Sequence, residues 1–341
     1  MLPQNPDLSE KILSLLEQIP SGRVTTYGDV ARAIGDVRAS RYVGELMLSH
    51  RHHASCRCYR VVRSDGSMGK FISGRPEEKK DRLVRESIVF RKDVVDLKTS
   101  HWNSFQCEQP LARLADCQRS MAATAETSIA VSMPDRIGGV DISYVPRRGQ
   151  GVATYVEVQG EDLERIHEES VQAKIDFPYI SGYLAFRELP LLIRLLQQVR
   201  AARPLPEVIL VDGSGILHPR RAGVATMLGV ELNCTTIGVT KKRLAGTVNT
   251  SDVSREGAEE IIFEGEVCGY ALLPRTSSAK RLYVSPGHRI DAPSALNIVG
   301  SCLRQRRLPE PIYWADRLSR AATRTTAAQS MANEPDATDR T

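Results

Sequence analysis

The chain has 341 residues, with 46 Lys+Arg, 41 Asp+Glu and 41% hydrophobic residues, which rules out a single small module and leaves room for two cores. Its net charge of +5 falls within residues 1–100, where 18 Lys+Arg face 13 Asp+Glu; the surplus suits a polyanionic partner without requiring one. Seven cysteines at irregular spacing argue against a disulfide framework. No run approaches the roughly 18 apolar residues that span a bilayer, and MLPQNPDLSE lacks a signal-peptide pattern, so a cytoplasmic protein with no membrane partner is expected.

In chain order, Ile12, Leu13, Leu15, Leu16 and Ile19 recur on one face and predict a helix over 8–19, stopped by Pro20-Ser21-Gly22. Helices over 28–34 and 40–48 around a Gly35-Asp36 turn complete a helix-turn-helix pattern. A short strand at 59–62, a hairpin turn at 64–67 and a charged helix over 77–87 follow. The pattern weakens between 99 and 135, apart from a helix over 110–120, which sets a domain boundary near residue 100. Strands are then predicted at 137–145, 152–158, 208–212, 235–240 and 282–285, with helices over 190–199 and from 291. This mixed order predicts an α/β domain layered around one sheet over 101–320. Residues 321–341, rich in Ala, Thr, Asn and Asp, read as a disordered tail.

Two carboxylates end strongly apolar runs, Asp141 in GGVDISY and Asp212 in VILVDG. A charge in such a place is costly unless compensated, so each either faces a site or caps a strand end. If the strands are neighbours the two converge, and hard oxygen donors suit Mg²⁺. Glu188 precedes Pro190 at the expected helix start, where the helix dipole alone would also favour it. His288 follows an apolar strand, in SPGHR. Composition and spacing leave these four open.

Five blocks in order resolve them: GGVDISY at 138–144, FPYISGYLAFRE at 177–188, VILVDGSGILHPRRAGVATMLG at 208–229, TIGVTKKRL at 236–244 and VSPGHRID at 284–291. Residues 105–320 thereby resemble endonuclease V. The resemblance implies a ribonuclease H-like mixed-sheet fold and a Mg²⁺-dependent endonuclease, with Mn²⁺ as substitute. It would nick DNA at the second phosphodiester 3′ to a deaminated base such as hypoxanthine. It implies metal ligation by Asp141, Asp212 and Glu188, with Lys241 and His288 completing the catalytic group. Pro178-Tyr179-Ile180 would be the wedge inserted where a base leaves the stack, although Ser181 replaces the Pro usual after it. Gly213 and Ser214 would read the flipped base through their amides, and inosine-containing RNA is the rival substrate.

Residues 6–95 resemble the DNA-binding domain of O6-alkylguanine-DNA alkyltransferases and alkyltransferase-like proteins, through IPSGRVTTYGDVA at 19–31 and ASRYVG at 39–44. The resemblance implies a small winged helix-turn-helix domain that binds alkylated DNA. Arg41 would replace a flipped guanine and Tyr27 crowd the target phosphate. Cys58 takes the alkyl-acceptor position, but Tyr59 stands where the family has a proton-relaying His. A phenol is a poor base at neutral pH, so thiolate formation would rely on Arg57, Arg60 or Glu86. The rival reading is a non-catalytic lesion sensor. His50, His52, His53, Cys56 and Cys58 also gather soft and imidazole donors, but lack the paired, separated spacing of a zinc finger.

Overall fold

The computed structural model describes residues 2–146, 148–253, 257–274 and 280–332, and these form two compact units. One contains residues 3–116 and 177–183. The other contains the described residues of 117–176 and 184–332, with residue 2. The division falls at 116/117, inside a helix, rather than near residue 100 as expected.

In the smaller unit, helix α1 (Leu8–Leu16) starts at Asp7, whose carboxylate accepts from the Glu10 amide at 3.0 Å, and ends before the predicted Ile19. Strand β1 (Thr25–Thr26) leads directly into α2 (Tyr27–Ala33), which opens on a Thr26/Asp29 capping box. Helix α3 (Ser40–Ser49) follows. Only Val61–Val62 of the predicted strand at 59–62 is extended; this is β2, parallel to β1, while Cys58–Arg60 form a single 3₁₀ turn. Helix α4 (Pro76–Arg85) begins on a proline, whose fixed φ suits a first helical position. Residues 64–67 do make a turn, but the hairpin is β3 (Phe90–Arg91) with β4 (Val94–Val95), turning at Lys92 and Asp93, both at positive φ. Helices α5 (Leu97–Ser100) and α6 (Pro110–Thr124) come next. Val24, Val62, Leu83, Ile88 and Val95 form a core beneath these elements.

The larger unit is built on one nine-stranded sheet. Its elements are β5 (Arg136–Val145), β6 (Gln150–Gln159), β7 (Glu164–Lys174), α7 (Leu184–Ala202), β8 (Val208–Asp212), α8 (Val224–Leu232) and β9 (Thr236–Thr240). Then come β10 (Thr247–Val253), β11 (Ala258–Phe263), β12 (Glu266–Leu272), β13 (Leu282–His288), α9 (Ala292–Ser301) and α10 (Glu310–Ala332). The order is β10-β11-β12-β13-β9-β8-β5-β6-β7, with only β5, β8 and β9 mutually parallel. The centre strands are buried on both faces, which explains their unbroken apolar runs.

Two expectations are corrected and one element was missed. Helix α7 starts at Leu184, so Pro190 lies inside it and Glu188 is in its second turn, not ahead of a helix. As the seventh residue of the helix, Pro190 has no N–H to offer the Phe186 carbonyl and so forgoes one intrahelical bond. The tail expected to be disordered from 321 is helical to Ala332, with Thr323 buried and Thr326 bonded to Gln172; residues 333–341 lie outside the described residues. Strand β7 escaped notice because its exposed, polar sequence gives no apolar alternation.

Candidate functional site

The centre of the sheet assembles an acidic group. Strands β5 and β8 pair in parallel through Val140↔Val211, so the next residue of each, Asp141 and Asp212, falls on the same rung. Asp316 reaches them from α10, which packs across β5, β6 and β8. One carboxylate oxygen from each of Asp141, Asp212 and Asp316 lies within 4.8 Å of the others. Asp316 was not anticipated: in Trp314-Ala315-Asp316-Arg317 it reads as a surface charge, and only the crossing of α10 reveals it.

Neighbours hold this group in place. Ser319, one helical turn beyond Asp316, donates to Asp141 Oδ2 at 2.8 Å, and Ser143 Oγ lies 2.8 Å from the same hydroxyl. Lys241, just past β9, places Nζ 2.8 Å from Asp212 Oδ2. Helix α10 comes this close because Gly139 has no side chain. A Cβ there would lie 2.4 Å from the Pro311 carbonyl carbon.

Burial, and then the neighbouring charge of Asp212, push the Asp141 carboxyl well above the usual carboxylate range. Buried Glu188 accepts a 2.7 Å hydrogen bond from Tyr144 and lies outside the tight trio. Burial carries its carboxyl up to about 8, with Asp141 and Asp212 adding to the rise. Buried like charges drawn together in this way call for a cation. Three hard carboxylate donors fit Mg²⁺ or Mn²⁺ far better than a soft metal.

His288 does not join them. It pairs with Thr236 at the start of β9, whereas Asp212 pairs with Val239 near its end. Three residues along a strand and two strands across put it about 10 Å away in each direction. It is buried there, and its Nδ1 accepts from the Glu126 amide at 3.2 Å. The endonuclease V resemblance implied a catalytic role for it, but strand direction takes it to the opposite sheet end.

Of the wedge segment, Tyr179 is 63% exposed and Pro178 half-buried, whereas Ile180 is buried and acts as an anchor instead of a wedge face. Tyr183, closing the segment, donates to Asp36 at 2.7 Å. The amides of Gly213 and Gly215 already donate to Val239 O and Ser285 Oγ, both at 3.0 Å, and Ser214 is buried. In this state, then, neither glycine amide is free for a base edge.

In the smaller unit, Arg41 projects into solvent at the start of α3, where it pairs with Glu45 on its own helix at 3.0 Å. Tyr27 opens α2, with Lys79 Nζ 5.9 Å from its ring centre. Cys58 is buried, and the groups expected to activate it are engaged elsewhere. Tyr59 donates to Glu86 at 2.6 Å, Arg60 Nε to the same carboxylate at 2.9 Å, and Arg57 to the carbonyls of Glu17 and Ile19. The neighbouring Cys56 side chain and burial push the Cys58 thiol up, with Lys79 and Arg82 opposing the rise only in part.

A family model described as Endonuclease V matches residues 118–317, and one described as 6-O-methylguanine DNA methyltransferase, DNA binding domain, matches residues 7–88. A bifunctional methyltransferase/endonuclease of Picrophilus torridus is 36% identical over 296 residues, covering 87% of this chain and 90% of that protein. The crystal structure of the catalytic domain of human Endonuclease V is 33% identical with a TM-score of 0.60, covering 65% of this chain and 99% of that one. Ciona intestinalis Endonuclease V, solved with a 24mer DNA containing an inosine followed by a ribo-adenosine, is 28% identical with a TM-score of 0.57, covering 64% of this chain and 100% of that one. The larger unit's mixed sheet and the breadth of these matches lead to one conclusion: the chain belongs to the endonuclease V family, as a DNA repair nuclease fused to an alkyltransferase-type DNA-binding domain.

Proposed function

We propose that the protein is a divalent-cation-dependent endonuclease that nicks DNA at the second phosphodiester 3′ to a deaminated base such as hypoxanthine, leaving 3′-hydroxyl and 5′-phosphate ends. The observation that carries this reading is the convergence of Asp141, Asp212 and Asp316 at the centre of the sheet. These three carboxylates would hold Mg²⁺, with Mn²⁺ as substitute, and Glu188 stands behind them as a further acceptor. A bound cation supplies Lewis-acid polarisation of the scissile phosphate and acidifies a coordinated water. In-line attack builds negative charge on the phosphate, which Lys241 is placed to offset, and Ser319 orients Asp141. Exposed Tyr179 is suited to fill the gap left by an unstacked base, an exchange costing a few kcal/mol and least at a damaged pair.

The test is nicking of a deoxyinosine duplex with and without Mg²⁺. Wild-type protein should cut only with the cation, and Asp141→Ala should lose about three orders of magnitude, the several kcal/mol a metal contributes to phosphate charge stabilisation. Wild-type rates from Asp141→Ala would overturn the reading. Matched deoxyinosine and inosine strands test the preference: the deoxyinosine strand should be cut, and cleavage of the inosine strand alone would redirect the nuclease to RNA.

A second reading concerns Cys58, which stands at the acceptor position of the alkyltransferase motif and is buried. We propose transfer of an alkyl group from guanine O6 to its sulfur, once per molecule. Incubating the full chain with a methylated oligonucleotide and weighing the protein checks this. A one-methyl mass gain absent from Cys58→Ser supports transfer, whereas tight lesion binding without gain makes the domain a sensor.

A further inference from the structure

The loop after α3 carries a second cluster of donors, remote in chemistry from the carboxylates. One ligand atom from each of His50, His52, Cys56 and Cys58 lies within 4.8 Å of the other three, and all but His52 are buried. His50 Nε2 lies 3.3 Å from Cys56 Sγ, and His52 Nδ1 lies 3.6 Å from Cys58 Sγ.

These spacings match a tetrahedral centre. With Zn–S near 2.3 Å and Zn–N near 2.05 Å, a tetrahedral angle sets each sulfur–nitrogen edge at about 3.6 Å, nitrogen–nitrogen at about 3.3 Å and sulfur–sulfur at about 3.8 Å. The two measured edges already fit, and side-chain shifts of about 1 Å would close the longest separation. A second observation fixes the orientation of one ligand. His50 Nδ1 lies 2.9 Å from the Leu46 carbonyl, an acceptor, so the proton sits on Nδ1 and Nε2 presents a bare lone pair to the sulfurs. Metal-bound histidines are held in this way, by a hydrogen bond from the other ring nitrogen. His53 takes no part: it is exposed and lies 2.9 Å from Ser55 Oγ.

We propose that His50, His52, Cys56 and Cys58 bind one Zn²⁺ in a closed Cys₂His₂ site, with Cys58 held as a thiolate ligand. Two thiolates and two neutral imidazoles neutralise the ion, which makes its burial acceptable, and soft donors select Zn²⁺ over the Mg²⁺ of the nuclease. The site ties residues 51–57, which have no helix or strand of their own, to the end of α3. It also supplies the deprotonated sulfur that Tyr59 and Glu86, engaged with each other, do not. The expectation that the donor spacing was wrong for zinc is revised, because that spacing describes separated hairpin knuckles, whereas here one loop folds back on itself.

The test uses the full chain, expressed with zinc, dialysed without chelator, and assayed for metal by mass spectrometry. About one equivalent of zinc should remain, falling about tenfold or more in His50→Ala and Cys56→Ser and unchanged in His53→Ala. Replacement by Co²⁺ should give the thiolate-to-cobalt charge-transfer band and the intense visible bands of a tetrahedral sulfur-ligated ion. That spectrum is read on wild-type protein and so stands even if a variant misfolds. Zinc-free wild-type protein that gives no such spectrum with Co²⁺, or zinc retained equally by His50→Ala and Cys56→Ser, overturns the proposal. None of these readouts involves nicking, so the zinc site and the nuclease reading fail independently.

Discussion

Asp316 and His288 show how far a single residue can be judged from its neighbours in sequence. His288 follows an apolar strand, composition and spacing leave its role open, and it accepts a backbone hydrogen bond at the far end of the sheet from Asp212. Asp316 sits among arginines on a helix and looks solvated, yet its carboxylate joins Asp141 and Asp212. Replacing each should separate the two roles. Asp316→Asn is expected to cut nicking by about two to three orders of magnitude with little change in melting temperature. His288→Ala should keep nicking within a few-fold and cost about 1–3 kcal/mol of stability, for truncating a buried ring and losing its hydrogen bond. Thermal melts and initial rates on the two proteins decide between these outcomes. Glu188 gives a pH signature. Its folded-state value of about 8 lies above its ordinary 4.5, so the folded protein holds that proton more tightly than the unfolded chain. The resulting stability is fully present below about 4.5 and is lost as pH rises through about 8. The cation-free protein should therefore melt several degrees lower at about pH 9 than at about pH 6. Mg²⁺, which needs the carboxylates ionised, should raise the melting temperature more at the higher pH.

At the scale of elements, the centre depends on how closely α10 crosses β5. Pro311 and Ile312 rest against Gly139, and the same helix then delivers Asp316 and Ser319 to Asp141. Gly139→Ala would put a methyl into that contact. It should cost about 1–3 kcal/mol by overpacking. It should also slow nicking by about tenfold or more, because a misplacement of 1 Å is enough to spoil a catalytic geometry. Melting temperature and rate falling together would confirm the coupling, and an unchanged rate would show that α10 can shift without moving its carboxylate. The central strands were legible because burial on both faces leaves long apolar runs, as in Val208–Asp212. The edge strand Glu164–Lys174 and the helix beyond Ala321 were not, since a polar edge and an Ala/Thr-rich surface helix carry weak periodicity.

For the molecule as a whole, two reactive centres of unlike chemistry lie in separate compact units, hard carboxylates in one and thiols with imidazoles in the other. Their activities should therefore be separable by substitution. Asp212→Asn should abolish nicking and leave methyl uptake intact, and Cys58→Ser should do the reverse; loss of both functions from either change would show that the centres depend on each other. The sequence by itself determined the two-part organisation, the nuclease family and the pair Asp141 and Asp212, because ordered motifs and a charge ending an apolar strand are local properties of the chain. Only the tertiary structure decided that Asp316 completes the acidic trio, that His288 stays outside it, and that four donors after α3 converge. Each of these depends on which strand, helix or loop lies beside another, and that is set by packing between residues far apart in sequence.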